Sequence, residues 1–273
     1  MAVLPIHTYF VFDDEIKPVS QFVPAENEGG IYEVLRVING VPLFLEDHLQ
    51  RFFHSAQLAG KTIRYTEPQI RSFLNELIGQ NKIAEGNVLI SCKIHLKAFF
   101  ILHKYPTTEM YSEGVNCGVL YAERDNPNAK VFQTTVRQQA DKLLAENEFY
   151  EVLLVDNNGF VTEGSRSNVF FVAGETIFTA PGNQVLPGIT RQKAIETARN
   201  LQIEVIEKQI QFSEIQQFDA AFITGTSPKI LPIRQIDKIQ FDHGNQLIIM
   251  LMKTYDDVIS AYIQENMNQK KLK

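Results

Sequence analysis

The stretch that decides the fold is NNGFVTEGSRSNVFF, residues 157–171. Its first three residues, 157–159, favour a tight turn, because asparagine and glycine tolerate positive φ at little cost. The apolar run 152–155 before the turn predicts a buried strand, and the segments 160–162 and 168–172 after it predict two returning strands. The stretch is therefore predicted to form a hairpin that continues into a sheet.

An acid stands inside this apolar hairpin. Glu163 follows the segment that returns from the turn, and a helix is predicted over 134–148 from apolar residues at helical spacing. A carboxylate in such surroundings requires a cation or hydrogen-bond donors, since burial without them costs free energy and shifts its pKa. We therefore expect Glu163 to have a specific partner.

A lysine precedes this acid at a defined distance. Lys130 lies 33 positions before Glu163, and the string VTEGSRSNVF surrounds the acid. Together they make the chain resemble the class IV aminotransferases, which hold pyridoxal 5′-phosphate (PLP) and include branched-chain aminotransferases, D-amino acid aminotransferases and aminodeoxychorismate lyases. The resemblance implies a mixed α/β (α+β), two-domain PLP fold of type IV. It further implies that Lys130 is catalytic and bonds to the PLP aldehyde, and that Glu163 faces the pyridine nitrogen.

The resemblance also assigns residues to the cofactor's phosphate and ring. Arg51 lies in DHLQR on a helix predicted over 46–60, where an arginine is usually exposed. The resemblance instead implies an arginine that reaches the phosphate, for which its planar fork of donors is suited. LPGIT at 186–190 is a glycine turn that opens a helix, and such an end attracts anions. The cofactor contacts expected from LPGIT and from the later turn GTS are Leu186, Gly188, Ile189, Thr190, Thr226 and Ser227.

The string YEVLRVING, residues 32–40, predicts a second hairpin, which lines the substrate pocket in this family. The substrate-binding candidates are Tyr32 and Val34, as in the D-amino acid enzymes, and Arg36, as in the branched-chain enzymes. D-amino acid aminotransferases hold the substrate carboxylate with an arginine and a histidine in a longer loop, whereas this chain has only KIHLKA. Lys93, His95 and Lys97 are either carboxylate anchors or solvated turn residues.

Composition excludes several classes of protein. Hydrophobic content of 44% and charged content of 21% are ordinary for a soluble globular protein, and a formal charge of −6 argues against nucleic acid as a partner. The two cysteines imply no disulfide framework. The sequence shows neither a signal peptide nor an apolar run long enough for a membrane span, which predicts the cytoplasm. We predict no metal site.

We expect a smaller N-terminal α/β domain over 1–118 and a larger PLP-binding domain over 125–273. The leading hypothesis is a transaminase that moves an amino group from a branched-chain or D-amino acid to an α-keto acid such as 2-oxoglutarate. A PLP lyase that releases pyruvate, as aminodeoxychorismate lyase does, is the first alternative. A non-catalytic PLP-binding protein is the second. The resemblance implies a homodimer.

Overall fold

A computed structural model of the chain describes residues 3–24, 29–132 and 135–271. Contacts within it group the chain into two compact units. The described residues of the first unit fall within 1–104, 129–133 and 259–273, and those of the second within 105–128 and 134–258.

The first unit is built on a six-stranded sheet with helices. The spatial order of its strands is β2-β1-β6-β5-β3-β4, and neighbouring strands pair antiparallel. The elements are β1 (Tyr9–Phe12), β2 (Glu15–Pro18), β3 (Ile31–Ile38), β4 (Val41–Pro42), α1 (Leu45–Leu58), α2 (Glu67–Asn81), β5 (Gly86–Cys92) and β6 (Leu96–Ile101). These confirm the predicted hairpin around Asn39 and Gly40 and the helix predicted over 46–60. Helix α2 also forms where apolar residues at helical spacing predict a helix, over 66–81.

Strand β3 alternates strictly between two environments. Ile31, Glu33, Leu35 and Val37 are buried, and the residues between them are half-buried. The apolar members of the buried set belong to the same core as residues of α1 and α2. Because successive side chains of a strand point to opposite faces, β3 presents one face to the helices and another to different surroundings.

The second unit is built on a nine-stranded mixed sheet. Its path runs β12-β11-β10-β13-β14-β7-β8-β9, and β15 pairs with β14 beside it. The strands are β7 (Val115–Tyr121), β8 (Glu151–Val155), β9 (Val161–Gly164), β10 (Asn168–Ala173), β11 (Thr176–Thr179), β12 (Glu204–Glu207), β13 (Ala220–Gly225), β14 (Lys229–Ile236) and β15 (Ile239–Gln240). The helices α3 (Thr108–Glu113), α4 (Thr135–Glu146) and α5 (Ile189–Asn200) belong to the same unit.

The hairpin predicted around 157–159 is present. Strands β8 and β9 pair antiparallel across it, and Gly159 has a φ of 84°. The backbone N–H groups of Asn158 and Phe160 donate to the carboxylate of Asp156, at 2.9 Å each, which closes the turn. The turn forms where the sequence predicts it, with the positive φ at Gly159.

Two helices differ from the expectation. The polar sequence of 107–113 predicts a loop, but α3 forms there because the Thr107 hydroxyl accepts from the N–H of Met110 and caps its first turn. Apolar residues at helical spacing predict a final helix over 245–265, and the observed helix, α6, extends further, over Gln246–Lys271. Within the described ranges, the helices fall short of a membrane-spanning segment in length or in hydropathy.

The compact units and the predicted domains assign some segments differently. Residues 105–118 fall in the second unit, whereas 129–133 and 259–273 fall in the first, although each was predicted on the other side. These assignments follow long-range contacts rather than chain order. The domain limits 1–118 and 125–273 stay a prediction about folding units.

A tyrosine of α6 caps the start of α1. The residue before α1, Phe44, has a left-handed conformation, with φ 48° and ψ 43°, and gives no side-chain cap. The Tyr262 hydroxyl accepts from the N–H of Leu45 at 3.1 Å and donates to the Glu46 carboxylate at 2.6 Å. A backbone N–H at a helix start lacks an intrahelical partner, so this hydroxyl supplies one.

We expect Tyr262→Phe to lower the free energy of unfolding by about 1–2 kcal/mol, since it leaves the Leu45 N–H without its partner. Urea unfolding followed by circular dichroism measures the change. Tyr121→Phe is the matched control, because Tyr121 is 69% exposed. Equal stabilities of the two variants would show that the Tyr262 hydroxyl contributes nothing to α1.

Candidate functional site

The predicted site residues divide between the two compact units. The first unit contains Lys130, Arg51 and the substrate candidates of β3. The second contains Glu163 and the predicted contacts in LPGIT and GTS. Each unit therefore contributes its own set of predicted contacts.

Arg51 is buried, contrary to the usual behaviour of a helix arginine. It lies on α1, its side chain is 6% exposed, and it forms a two-point ion pair with Glu33 of β3. Its Nε donates to Glu33 Oε1 and its Nη2 to Glu33 Oε2, both at 2.7 Å. The guanidinium is therefore fixed in plane and in direction by the strand beneath the helix.

The same carboxylate has a third partner. Nδ1 of His48, one turn before Arg51 on α1, lies 2.8 Å from Oε2 of Glu33. Burial by itself raises the pKa of Glu33, but the charge and hydrogen bonds of Arg51, together with His48, lower that pKa to about 2. Burial lowers the pKa of His48, Glu33 opposes this, and the positive charges of Arg51 and Lys130 add to the lowering. At neutral pH an ionised Glu33 can only accept, so neutral His48 carries its proton on Nδ1.

Lys130 is fixed through its backbone. Its N–H donates to the Ser55 hydroxyl of α1 at 3.0 Å, and its carbonyl accepts from the N–H of Tyr32 at 3.1 Å. Its Nζ lies 4.8 Å from the centre of the Tyr32 ring, which stacks on Phe132 at 4.1 Å. The lysine is thus brought to the predicted substrate residue Tyr32.

The three substrate candidates share one face of β3. Tyr32, Val34 and Arg36 are the half-buried members of its alternation, and across the sheet they pair with Ser91, Leu89 and Asn87 of β5. The structure therefore brings the predicted substrate residues together on the face opposite to Glu33.

The carboxylate-anchor candidates on the short hairpin have other contacts. His95 Nδ1 lies 2.7 Å from the Asp13 carboxylate, and Lys97 Nζ donates to the carbonyl of Val23 at 3.1 Å. Lys93 is exposed. These contacts favour solvated turn residues over a carboxylate anchor for Lys93 and His95, whereas Lys97 lies half-buried within β6.

Glu163 has the cationic partner that the sequence required. Its Oε1 accepts from Arg124 Nη1 at 2.8 Å, and its side chain is 4% exposed. Its Oε2 accepts from the N–H of Leu186 at 3.1 Å and from Asn168 Nδ2 at 3.5 Å. The predicted acid is therefore linked to the LPGIT segment within the second unit.

The LPGIT segment opens α5. Gly188 is the residue before the helix and provides no side-chain cap, and Ile189 and Thr190 are buried in its first turn. A Cβ at Gly188 would lie 2.1 Å from Asn168 Oδ1, so only glycine fits there. The uncapped N–H groups and the helix dipole together suit an anion.

The GTS turn connects β13 to β14, with Thr226 and Ser227 half-buried at the end of β13. Its neighbour Thr224 is 1% exposed, and its hydroxyl has no hydrogen-bond partner among the described residues. Thr224 pairs in register with Asn168, which contacts both Glu163 and Leu186. An unsatisfied buried hydroxyl at this place is what a polar ligand would complete.

A polar cavity of about 300 Å³ borders the ion pair of Glu163 with Arg124. Asp156, Asn158 and Thr162 also line it. Among its lining residues, Glu163 alone was predicted as a cofactor contact. The cavity therefore marks the solvent side of this ion pair rather than the phosphate contacts.

The donor set fits PLP. The described residues include a carboxylate that suits a ring nitrogen and a lysine amine that suits an aldehyde. They also include two groups that suit a phosphate, a fixed guanidinium and a helix start without a side-chain cap. In the same part of the chain, no group of three His, Cys, Asp or Glu side chains is arranged to hold a metal ion.

Sequence reasoning missed Glu33, His48, Ser55 and Arg124, which hold the predicted residues in place. The pairs Glu33–Arg51 and Arg124–Glu163 are 18 and 39 positions apart. Of these four residues, only Glu33 could have been found from the sequence, because it is an acid at a position of β3 that strand alternation predicts to be buried.

We expect His48→Gln to flatten the pH dependence of folding stability below pH 6.5. The unfolded state has the ordinary pKa of 6.5, whereas burial lowers the pKa of folded His48, so the unfolded chain binds the proton first as the pH falls. The wild type therefore loses stability below pH 6.5, and the variant loses less. Urea unfolding between pH 7.5 and about 5.5 measures this window.

Two observations keep the result specific. The contribution of Glu33 is lost at lower pH, from 4.5 down to about 2, because its pKa is lowered from the acid's ordinary value. His54→Gln is the matched control, since His54 is exposed on the same helix. Parallel pH curves for wild type and His48→Gln would contradict a buried neutral His48.

Comparison with known families matches residues 30–236 to the family described as amino-transferase class IV. A probable branched-chain-amino-acid aminotransferase of Rickettsia typhi is 29% identical over 226 residues, covering 77% of this chain and 78% of that protein. A D-alanine aminotransferase of Bacillus licheniformis is 25% identical over 236 residues, covering 76% of this chain and 79% of that protein.

Solved structures share the fold. The T.th. branched-chain amino acid aminotransferase with pyridoxamine 5′-phosphate has a TM-score of 0.85 at 20% identity, covering 94% of this chain and 96% of that one. The branched-chain amino acid aminotransferase from Escherichia coli has a TM-score of 0.80 at 20% identity, covering 93% and 95%. The mixed α/β fold expected from the sequence is confirmed. The family match shows that this chain belongs to the class IV aminotransferases, the PLP-dependent transaminases that its sequence resembles.

Proposed function

We propose that the chain moves an amino group between an α-amino acid, of the branched-chain or D-amino acid type, and an α-keto acid such as 2-oxoglutarate. The observation that carries this proposal is the span of the family match. Residues 30–236 include every predicted site residue, from Tyr32 to Ser227.

Lys130 is the proposed catalytic residue. PLP, when bound, supplies an electron sink for the bond that breaks at the substrate's α-carbon. Lys130 would bond to the cofactor's aldehyde carbon with loss of water, and its amine, when free again, would accept the proton from the substrate's α-carbon. Its two backbone hydrogen bonds support this role, because they hold the backbone of Lys130 in place beside Tyr32 while the side chain that carries the amine can move.

Glu163 is the proposed partner of the ring nitrogen. A carboxylate there keeps that nitrogen protonated, which preserves the ring's capacity to accept electrons. Arg124 and the N–H of Leu186 hold the carboxylate in place, since each donates to one of its two oxygens. We propose that Leu186, whose N–H donates to Glu163, contacts the pyridine ring of PLP.

The phosphate contacts are proposed to be Arg51, the helix start at Gly188, Ile189 and Thr190, and the hydroxyls of Thr226 and Ser227. Three kinds of donor are represented: a guanidinium, uncapped N–H groups and hydroxyls. Each binds a dianion more strongly than it binds a neutral group. Holding the phosphate keeps the ring from drifting during the reaction.

The substrate is proposed to contact Tyr32, Val34 and Arg36 on their shared face of β3. Their mixed character, an aromatic, an aliphatic and a cation, suits an amino acid with an apolar side chain and a carboxylate. We further propose a cytoplasmic homodimer. Relatives of both substrate types are similar to this chain, so handedness is decided by experiment.

The proposal predicts a visible absorption band when the purified protein binds PLP, and the loss of that band in Lys130→Ala. The variant lacks the amine that bonds to the aldehyde, whereas Lys142→Ala, at an exposed lysine, keeps the band. Absorption spectra of the three proteins measure this. A protein that stays colourless with PLP would contradict the proposal.

A panel of amino acids then identifies the reaction. L-Leucine, L-glutamate or D-alanine is expected to bleach the band, and 2-oxoglutarate to restore it. Pyruvate released from aminodeoxychorismate without a keto acid would instead assign the lyase reaction. A band that responds to no amine would assign a non-catalytic PLP-binding protein.

Glu163→Gln is expected to lower kcat by about 10²-fold, the loss that follows removal of one preorganised electrostatic contact. PLP still binds, since Lys130 and the phosphate contacts are unchanged. Glu151→Gln is the matched control, because Glu151 is equally buried but accepts from Ser165 and Ser167 instead. Equal turnover of the two variants would remove Glu163 from the reaction.

A further inference from the structure

The buried ion pair between Glu33 and Arg51 beneath α1 includes a further donor, beyond the one carboxylate that would neutralise a buried arginine. Glu33 has no exposed surface, and its two oxygens accept from Nε and Nη2 of Arg51 and from Nδ1 of His48. Three charge-assisted or neutral donors thus converge on one carboxylate.

This arrangement fixes which edge of the guanidinium is used. Nε and Nη2 lie along one edge of the planar group, and Glu33 occupies that edge. Because the guanidinium is planar, these two bonds also set the orientation of its third nitrogen, Nη1. A single freely rotating cation, such as a lysine amine, could not be aimed in this way.

The position of Glu33 on β3 gives this geometry a second consequence. Tyr32, its neighbour in sequence, lies on the opposite face and carries the Lys130 amine above its ring. Ser55, one turn after Arg51 on α1, accepts from the Lys130 N–H. The strand and helix that Glu33 ties together are thus those that hold the lysine.

We propose that Glu33, supported by His48, is a positioning residue that aims Arg51 at the cofactor's phosphate. This inference rests on the proposed function, which assigns Arg51 to that phosphate. Glu33 touches neither substrate nor cofactor and acts through Arg51.

A purely structural role makes a different prediction. Breaking a buried ion pair destabilises the whole unit, so every ligand would bind more weakly. If Glu33 positions Arg51, its loss weakens the binding only of a ligand that carries the phosphate. Pyridoxal, which has a hydroxyl in place of the phosphate, separates the two.

The experiment measures the dissociation constants of PLP and pyridoxal from the apoprotein by visible absorption. Glu33→Gln is expected to weaken PLP by about ten- to hundredfold, the range for a hydrogen bond to a charged group. Pyridoxal binding should change by less than about threefold. Glu151→Gln, the buried control in the second unit, should not change the ratio of the two constants.

A double-mutant cycle locates the effect. In Arg51→Gln, the further change Glu33→Gln should alter PLP binding by less than about threefold, because the group that Glu33 aims is gone. Should Glu33→Gln fail to fold, His48→Ala replaces it, since it removes one donor and leaves the Glu33–Arg51 pair. We expect a smaller loss with the same preference for PLP.

Three results would overturn the inference. The first is an equal loss of PLP and pyridoxal binding in Glu33→Gln or His48→Ala, and the second is an effect of Glu33→Gln that adds to that of Arg51→Gln. The third is unchanged PLP binding in Glu33→Gln. If the wild type binds no PLP at all, the proposed function itself fails, which these outcomes distinguish.

Discussion

An ionised carboxylate can be buried in a protein only where charges or hydrogen-bond donors replace the water it loses. Among the described residues of this chain, three glutamates are buried: Glu33, Glu151 and Glu163. Two of them are compensated by an arginine and the third by serine hydroxyls and backbone N–H groups. These contacts cross between strands, helices and loops, so they determine which segments lie together in each unit. The two arginine pairs also hold the residues assigned to the cofactor, which joins the requirements of folding to those of the site.

Strand β3 shows how a short segment meets both requirements. Its period of two places Glu33 against α1 and Tyr32 on the other face, although the two are neighbours in sequence. A shift of one residue in register would exchange these faces and bury Tyr32 where the carboxylate now lies. The seven paired positions between β3 and β5 fix that register. The register of β3 therefore determines both the packing on one of its faces and the proposed ligand contacts on the other.

Local patterns predicted most of the elements, because turn chemistry and helical or strand periodicity are properties of neighbouring residues. The turn at 157–159 and the helices α1, α2 and α4 formed where their patterns indicated. The motif around Glu163 led to the family for the same reason, since its residues are contiguous. The partners Glu33 and Arg124 could not be predicted, since no local pattern pairs positions that are 18 or 39 residues apart. The extra helix α3 depends on one capping hydroxyl, and its short length gives periodicity little to act on.

The two arginine pairs also limit how the proposed cofactor site would attract its ligand. Arg51 is already neutralised by Glu33, and Glu163 by Arg124, so neither pair brings a net charge. Long-range attraction of a phosphate must then come from groups without a counter-ion, of which the uncapped start of α5 is one. What a neutralised arginine contributes is direction: its donors are held at fixed angles, and less conformational entropy is lost when an anion binds. In such a site, specificity for a phosphate depends on the geometry of the donors more than on their total charge, and a buried acid that fixes this geometry becomes as important as the arginine itself.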